Sequence, residues 1–297
     1  MISNDDDSIV YLNGEYVRLG DAKVSVLDRG FIFGDGVYEV VPVYGGKPFR
    51  MEHHLARLFR SLTAIHIESP LQREDFERIV SELISLFGPG NCIVYLQITR
   101  GVAKRDHAYT KGVEPTIFAM VSPFNRPDAR FREQGLTTIG IPDQRWYRCD
   151  IKAISLLGNL MARQVAVEAG VDDVLQFREG YLTEASAANI WVVKDGVLLA
   201  PPLNNLILEG IRYNLMEELA SACGIPFEAR PIREEEVDVA DELMLTSATK
   251  EVLPITRYNG KPVGAGVPGP VYARLRAAYD DVVAALTREN THARNTA

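Results

Sequence analysis

The chain has 297 residues, 46% of them hydrophobic and 24% charged, which is long for one core, so two domains of ordinary size are expected. A formal net charge of -8 and a pI near 5.3 argue against a nucleic-acid backbone or an anionic membrane as partner. No apolar run is long enough to span a bilayer, the acidic start Met1 to Ser8 has no signal-peptide character, and Cys92, Cys149 and Cys223 stand outside any metal-ligand spacing; a reduced, cytoplasmic protein without a metal is expected.

In chain order, Ile9 to Val17 alternates around Asn13-Gly14 and predicts a hairpin. A second is predicted around Gly45-Gly46, joining Val37–Val43 to Pro48-Phe49. Apolar residues three and four apart predict helices over 51–66 and 72–87, followed by strands near 91–100 and 115–122. The segment 124–132 is polar, carries a proline and lacks periodicity, so it is expected to link a first α/β domain, 1–123, to a second, 133–297. In the second, strands are predicted at 136–141, 173–178, 189–194, 197–200, 226–230, 242–246 and 252–258, with helices over 153–170, 211–222 and 268–287. The polar tail from Thr287 is expected to fray.

Lys152 closes the segment Arg145-Trp-Tyr-Arg-Cys-Asp-Ile-Lys152, just before an apolar run that reads as helix. A lysine amine becomes a nucleophile when desolvation and neighbouring cations lower its pKa. Trp146, Tyr147, Ile151, Ile154, Leu156 and Leu157 offer apolar cover, and Arg145 and Arg148 offer charge. Alone, such a lysine is usually a solvated surface residue. Some thirty residues on, Tyr181-Leu-Thr-Glu-Ala-Ser-Ala-Ala-Asn189 reads as a turn of small side chains carrying Glu184 between two strand-like runs, where a flat ring could approach the backbone. Cys149 reads as a packing residue, Glu234-Glu-Glu236 as a solvated helix face, and His53, His66 and His292 as surface or packing residues.

Several segments together resemble the class IV aminotransferases that use pyridoxal phosphate, most closely the D-amino-acid transaminases. They are Asp28–Val41, Arg57, Thr99-Arg-Gly101 with Arg105 and His107, the Lys152 segment, Glu184 with Asn189, Gly210-Ile211 and Thr246-Ser247. The resemblance covers about residues 9 to 280. It implies a two-domain α/β (α+β) fold of the D-amino-acid and branched-chain aminotransferase type, with the active site between the domains.

It further implies that Lys152 forms the Schiff base with pyridoxal 5'-phosphate and shuttles the proton, and that Glu184 partners the pyridine nitrogen. The phosphate would fall to Arg57, which His54 could orient, and to backbone amides around Ile211, Arg212, Ser247 and Ala248. Arg212 and Ala248 depart from the pattern, since the family often has threonine and a hydroxyl residue there. Tyr38, Arg105 and His107 would bind the substrate carboxylate, the last two from the partner subunit of a homodimer, while Asp106 could pair with either cation and weaken the trap. The implied reaction moves an amino group from a D-amino acid such as D-alanine to a 2-oxo acid such as 2-oxoglutarate. A branched-chain L-amino-acid transaminase, an (R)-amine transaminase, an aminodeoxychorismate lyase and a non-catalytic cofactor-binding relative stay open as alternatives.

Overall fold

The computed structural model describes residues 6–109 and 111–294; most of the acidic start and the last three residues of the tail lie outside them. The chain divides into two compact units, Met1–Asn125 with Ile151–Ser155, and Arg126–Asp150 with Leu156–Ala297.

The first unit opens with the hairpin β1 (Ile9–Leu12) and β2 (Glu15–Arg18), turned at Asn13 and Gly14, both at positive φ as a tight hairpin requires. A one-turn helix α1 (Arg29–Phe33), which hydrophobic periodicity does not announce, follows; the Asp28 carboxylate caps it by accepting from the Gly30 amide. Next come β3 (Gly36–Tyr44), β4 (Lys47–Pro48), the helices α2 (Met51–Ala64) and α3 (Arg73–Phe87), and β5 (Cys92–Thr99) and β6 (Thr116–Pro123). The six strands form one antiparallel sheet in the order β2-β1-β6-β5-β3-β4. Its core joins Val37, Val41 and Val43 to Leu55, Leu58 and Leu62 of α2 and to Phe76, Ile79 and Leu83 of α3.

The second unit holds α4 (Ala129–Glu133), β7 (Leu136–Pro142), α5 (Leu157–Glu168), β8 (Asp173–Arg178), β9 (Tyr181–Ala185), β10 (Asn189–Lys194), β11 (Val197–Ala200), α6 (Tyr213–Ala222), β12 (Phe227–Ala229), α7 (Glu234–Asp238), β13 (Glu242–Ser247), β14 (Glu251–Tyr258), β15 (Lys261–Pro262) and α8 (Pro270–Arg294). Its mixed sheet runs β12-β11-β10-β13-β14-β7-β8-β9, with β15 on β14. The β11/β12, β14/β7 and β7/β8 pairs are parallel. Leu175, Ile190, Leu243, Leu245, Leu253 and Ile255 pack in its principal core, and no described helix is long and apolar enough to cross a membrane.

Four expectations change. Glu184 lies on a strand, β9, because Glu179-Gly180 makes a two-residue turn with both φ positive and pairs Arg178 with Tyr181; its small and polar residues hide the strand from a hydrophobic reading. The helix expected from 153 starts at Leu157, since Lys152–Ile154 runs along β3: the Tyr38 amide donates to the Lys152 carbonyl and the Ile154 amide to the Gly36 carbonyl, both at 3.0 Å. The segment 124–132 contains the start of α4, capped by Asp128, and Arg126 within it pairs with Glu251 and Asp280. Helix α8 continues through the tail to Arg294.

Gly36 makes the Lys152 strip possible, because a Cβ there would stand 2.6 Å from the Ile98 carbonyl oxygen and 3.1 Å from the Ile154 side chain. Gly36→Ala should therefore cost about 1–3 kcal/mol of stability. Chemical denaturation of the variant beside the parent measures it.

Candidate active site

Strand β3 sets the first group of residues. Its alternation places Glu39 among the buried valines, facing α2, while Tyr38 points the other way and stacks on Tyr95 with ring centroids 5.7 Å apart. The half-buried Lys152 lays its Nζ 4.1 Å from the centre of the Tyr38 ring, and its backbone amide donates to Ser61 Oγ on α2 at 3.3 Å. Among the described residues of its unit no carboxylate pairs with the amine.

Glu39 is fully buried and holds three donors at 2.7 Å. Arg57 gives Nε to Oε1 and Nη2 to Oε2, and His54 Nδ1 bonds Oε2. Burial opposes ionisation of Glu39, but the Arg57 guanidinium beside it and His54 outweigh that and hold its carboxyl far below the usual range. Burial likewise pushes the His54 imidazole down to about 4 against the pull of Glu39. His54 is then neutral at pH 7, and since a carboxylate only accepts, Nδ1 carries the proton. His54 Nε2 is left as a buried acceptor with no hydrogen-bond partner among the described residues. The expectation that His54 orients Arg57 is met indirectly, through Glu39.

Arg105 and His107 lie on the exposed loop after β5, where both flank Phe33. The Arg105 guanidinium is 5.4 Å from its ring centre and the His107 ring 5.6 Å. Asp106 spends its side chain on the Ala108 amide at 3.1 Å and makes no ion pair with either neighbour among the described residues. Within the described chain neither Arg105 nor His107 is brought onto Tyr38, whose ring partners are Tyr95 and Lys152.

In the second unit Glu184 is buried. Its Oε2 accepts from Arg145 Nη1, and its Oε1 from Asn189 Nδ2 at 3.2 Å. Burial raises the Glu184 carboxyl above its ordinary value, with Arg145 pulling against it. Arg145 is itself held by Asp143, at 3.0 Å through Nε and 2.8 Å through Nη2, and Thr183 and Arg178 close on the same carboxylate.

Asn189 also donates to the Leu208 carbonyl at 2.8 Å, and Gly210 presses so closely that a Cβ would stand 1.9 Å from Asn189 Oδ1. Beyond it Arg212 is buried, with Nη1 on the Ser247 carbonyl at 2.6 Å and Nη2 on the Tyr279 hydroxyl at 2.7 Å. Glu184, Ile211, Arg212, Ser247 and Ala248 thus belong to one connected set. Among the described residues nothing accepts from the backbone amides of Ile211 and Ala248.

The cover expected around Lys152 differs. Ile151 is buried, but Trp146, Tyr147 and Leu157 are 47%, 61% and 71% exposed. The charge expected from Arg145 and Arg148 is absorbed by Asp143 and Glu184 and by Asp150. Arginines seek carboxylates first. Cys149 is a buried packing thiol, pushed up to about 11 by burial, that donates to the Trp146 carbonyl at 3.2 Å. Glu39, Asp143 and the partnership of Arg145 with Glu184 escaped the sequence reading. Only Glu39 left a signal, as a carboxylate at every-second-residue spacing from Val37 and Val41.

A family model described as amino-transferase class IV matches residues 36–258. A D-alanine aminotransferase of Staphylococcus aureus is 36% identical over 275 residues, 92% of this chain and 97% of that one. The branched-chain amino acid aminotransferase of Escherichia coli superposes with a TM-score of 0.89 at 25% identity, covering 93% of this chain and 95% of that one. A T.th. branched-chain amino acid aminotransferase, complexed with N-(5'-phosphopyridoxyl)-L-glutamate, gives 0.85 at 25% identity, covering 93% and 94%.

The buried Glu39 cluster has a signature in acid. Unfolded His54 ionises near 6.5 and folded His54 only near 4, so between these values the unfolded chain binds the extra proton and stability falls as the pH drops. Glu39, with its folded value depressed, adds a loss in the same direction below about 4.5. The His54 part should be on the order of 3 kcal/mol between pH 7 and 4. Chemical denaturation across that range checks it, with His54→Asn expected to flatten the dependence.

Proposed function

We propose that this chain, which belongs to the class IV aminotransferases and is a pyridoxal-phosphate-dependent transaminase, takes its amino group from a D-amino acid such as D-alanine and passes it to a 2-oxo acid such as 2-oxoglutarate. The observation that carries the reading is the Lys152 amine, half-buried over the Tyr38 ring and without a carboxylate partner among the described residues of its unit.

The residues present fit the cofactor. It needs an amine, a carboxylate for its ring nitrogen and donors for a phosphate. Lys152 supplies the first, buried Glu184 the second, and the unengaged amides of Ile211 and Ala248, with Arg57, the third. Ser247 contributes to the turn, its Oγ accepting from the Lys250 amide at 3.0 Å, and Arg212 braces that turn through the Ser247 carbonyl. The missing hydroxyls at 212 and 248 therefore leave the main-chain donors in place. When bound, pyridoxal phosphate supplies an aldehyde to take up the amino group and a ring to accept electrons from the α-carbon.

Each residue then has a task. Lys152 Nζ takes the proton from the α-carbon and later returns one, so a single group serves as base and acid. Glu184 holds the proton of the ring nitrogen, and its orientation is fixed from behind by Arg145 and Asn189. Tyr38 and, in a homodimer, the partner's Arg105 and the partner's His107 grip the substrate carboxylate. That grip decides which α-hydrogen faces Lys152, and hence the enantiomer.

Support for D-specificity is the 36% identity to a D-alanine aminotransferase and the presence of Tyr38, Arg105 and His107 together. The branched-chain reading rests on backbone likeness at 25% identity. Lys152→Ala should lose at least about a thousandfold in turnover. With D- and L-alanine offered separately to 2-oxoglutarate, kcat/KM should favour the D form by about a hundredfold or more, and a preference for L-alanine would sink the proposal.

A further inference from the structure

Among its described residues the loop that carries Arg105 and His107 has no helix or strand of its own, yet a substrate-carboxylate grip has to be held to a fraction of an ångström to be selective. Arg29, at the start of α1, supplies the hold. Only 3% exposed, it reaches three successive carbonyls of the loop: Nη1 donates to Asp106 O at 2.6 Å and Ala108 O at 3.5 Å, and Nη2 to His107 O at 3.5 Å. Its Nε is pinned at 2.7 Å by Asp35, and its backbone amide donates to Gly101 O at 2.9 Å.

Asp35 is shared. Arg100 takes it through Nε at 2.8 Å and Nη2 at 3.0 Å, caps the end of α2 by donating to Ile65 O and His66 O, and lays its guanidinium 3.7 Å from the centre of the Tyr109 ring. Phe33, 4.9 Å from the Arg29 guanidinium, presents the ring against which Arg105 and His107 rest. The main chain between residues 106 and 108 is therefore clamped to a buried ion pair while the side chains at 105 and 107 face outward.

Resting on the carboxylate role given above to Arg105 and His107, we propose that Arg29 is a positioning residue for substrate recognition: held by Asp35, it fixes the loop whose Arg105 and His107 bind the carboxylate of an α-amino acid, without touching substrate itself. Its loss should then weaken capture of the carboxylate and spare the proton transfer at Lys152. That separates it from a residue that merely keeps the unit folded.

The test compares pyridoxal-phosphate-loaded parent, Arg29→Gln, Arg29→Lys and Arg105→Ala, with D-alanine and 2-oxoglutarate as substrates. Arg29→Gln should raise KM for D-alanine about tenfold or more, keep kcat within about threefold and leave the visible absorption of the bound cofactor unchanged. Arg29→Lys, whose single ammonium cannot span three carbonyls, should fall between it and the parent. An unchanged KM in Arg29→Gln, or a fall in kcat alone, overturns the proposal. If Arg29→Gln does not yield folded holoenzyme, Arg29→Lys is judged by the same rule against at least a threefold rise in KM. Arg105→Ala separates the two readings. No rise in KM there defeats the carboxylate role of Arg105, whereas a rise there with none at Arg29 defeats only the positioning role.

Discussion

The first unit is organised around one carboxylate taken out of water. Glu39 sits on the apolar face of β3, where an unpaired charge would cost several kcal/mol. Its two oxygens are satisfied by Arg57 and His54 from α2, so the strand and the helix are locked together by charge as well as by valine and leucine packing. The neighbouring position on β3 is Tyr38, and the strip beside that strand is Lys152. One buried ion pair therefore ties Arg57 to the strand that carries Tyr38 and along which the Lys152 strip is hydrogen-bonded.

The second unit repeats the logic with the signs reversed. Here Arg145 is the central charge, and it stands between Asp143 and Glu184. Burial pushes the Glu184 carboxyl above its ordinary value; Arg145 opposes this, and Asp143 keeps Arg145 from swinging away. A carboxylate with the role proposed for Glu184 has to remain an acceptor in a dry place. That demands a cation behind it whose own geometry is restrained.

Much of this was legible beforehand. Asn13-Gly14 and Gly45-Gly46 marked their hairpins because positive φ at both turn residues selects those types, and α2 and α3 were marked by the spacing of their leucines, isoleucines and valines. Strand β9 and the extended strip at Lys152 were not. The first owes its place to pairing with β8, and the second to two main-chain hydrogen bonds with β3; neither leaves a pattern in side-chain polarity. Among site residues, the types and order pointed to the chemistry. The pairing of Arg145 with Glu184, 39 positions apart, was hidden because a salt bridge across a sheet carries no local spacing rule.

The turns at 210–212 and 247–250 have a bearing on how such a protein can change over time. In the reading proposed above, what they would offer an anion is the peptide N–H of Ile211 and of Ala248, and every residue except proline brings the same donor. The side chains there are consequently released for other work. Arg212 uses that licence to tie its turn to the Ser247 carbonyl and to Tyr279 in the C-terminal helix. Gly210 has no such latitude, because Asn189 already fills the space a methyl group would need. The side chains around the anion cradle proposed above are thus free to change, provided that position 210 stays bare.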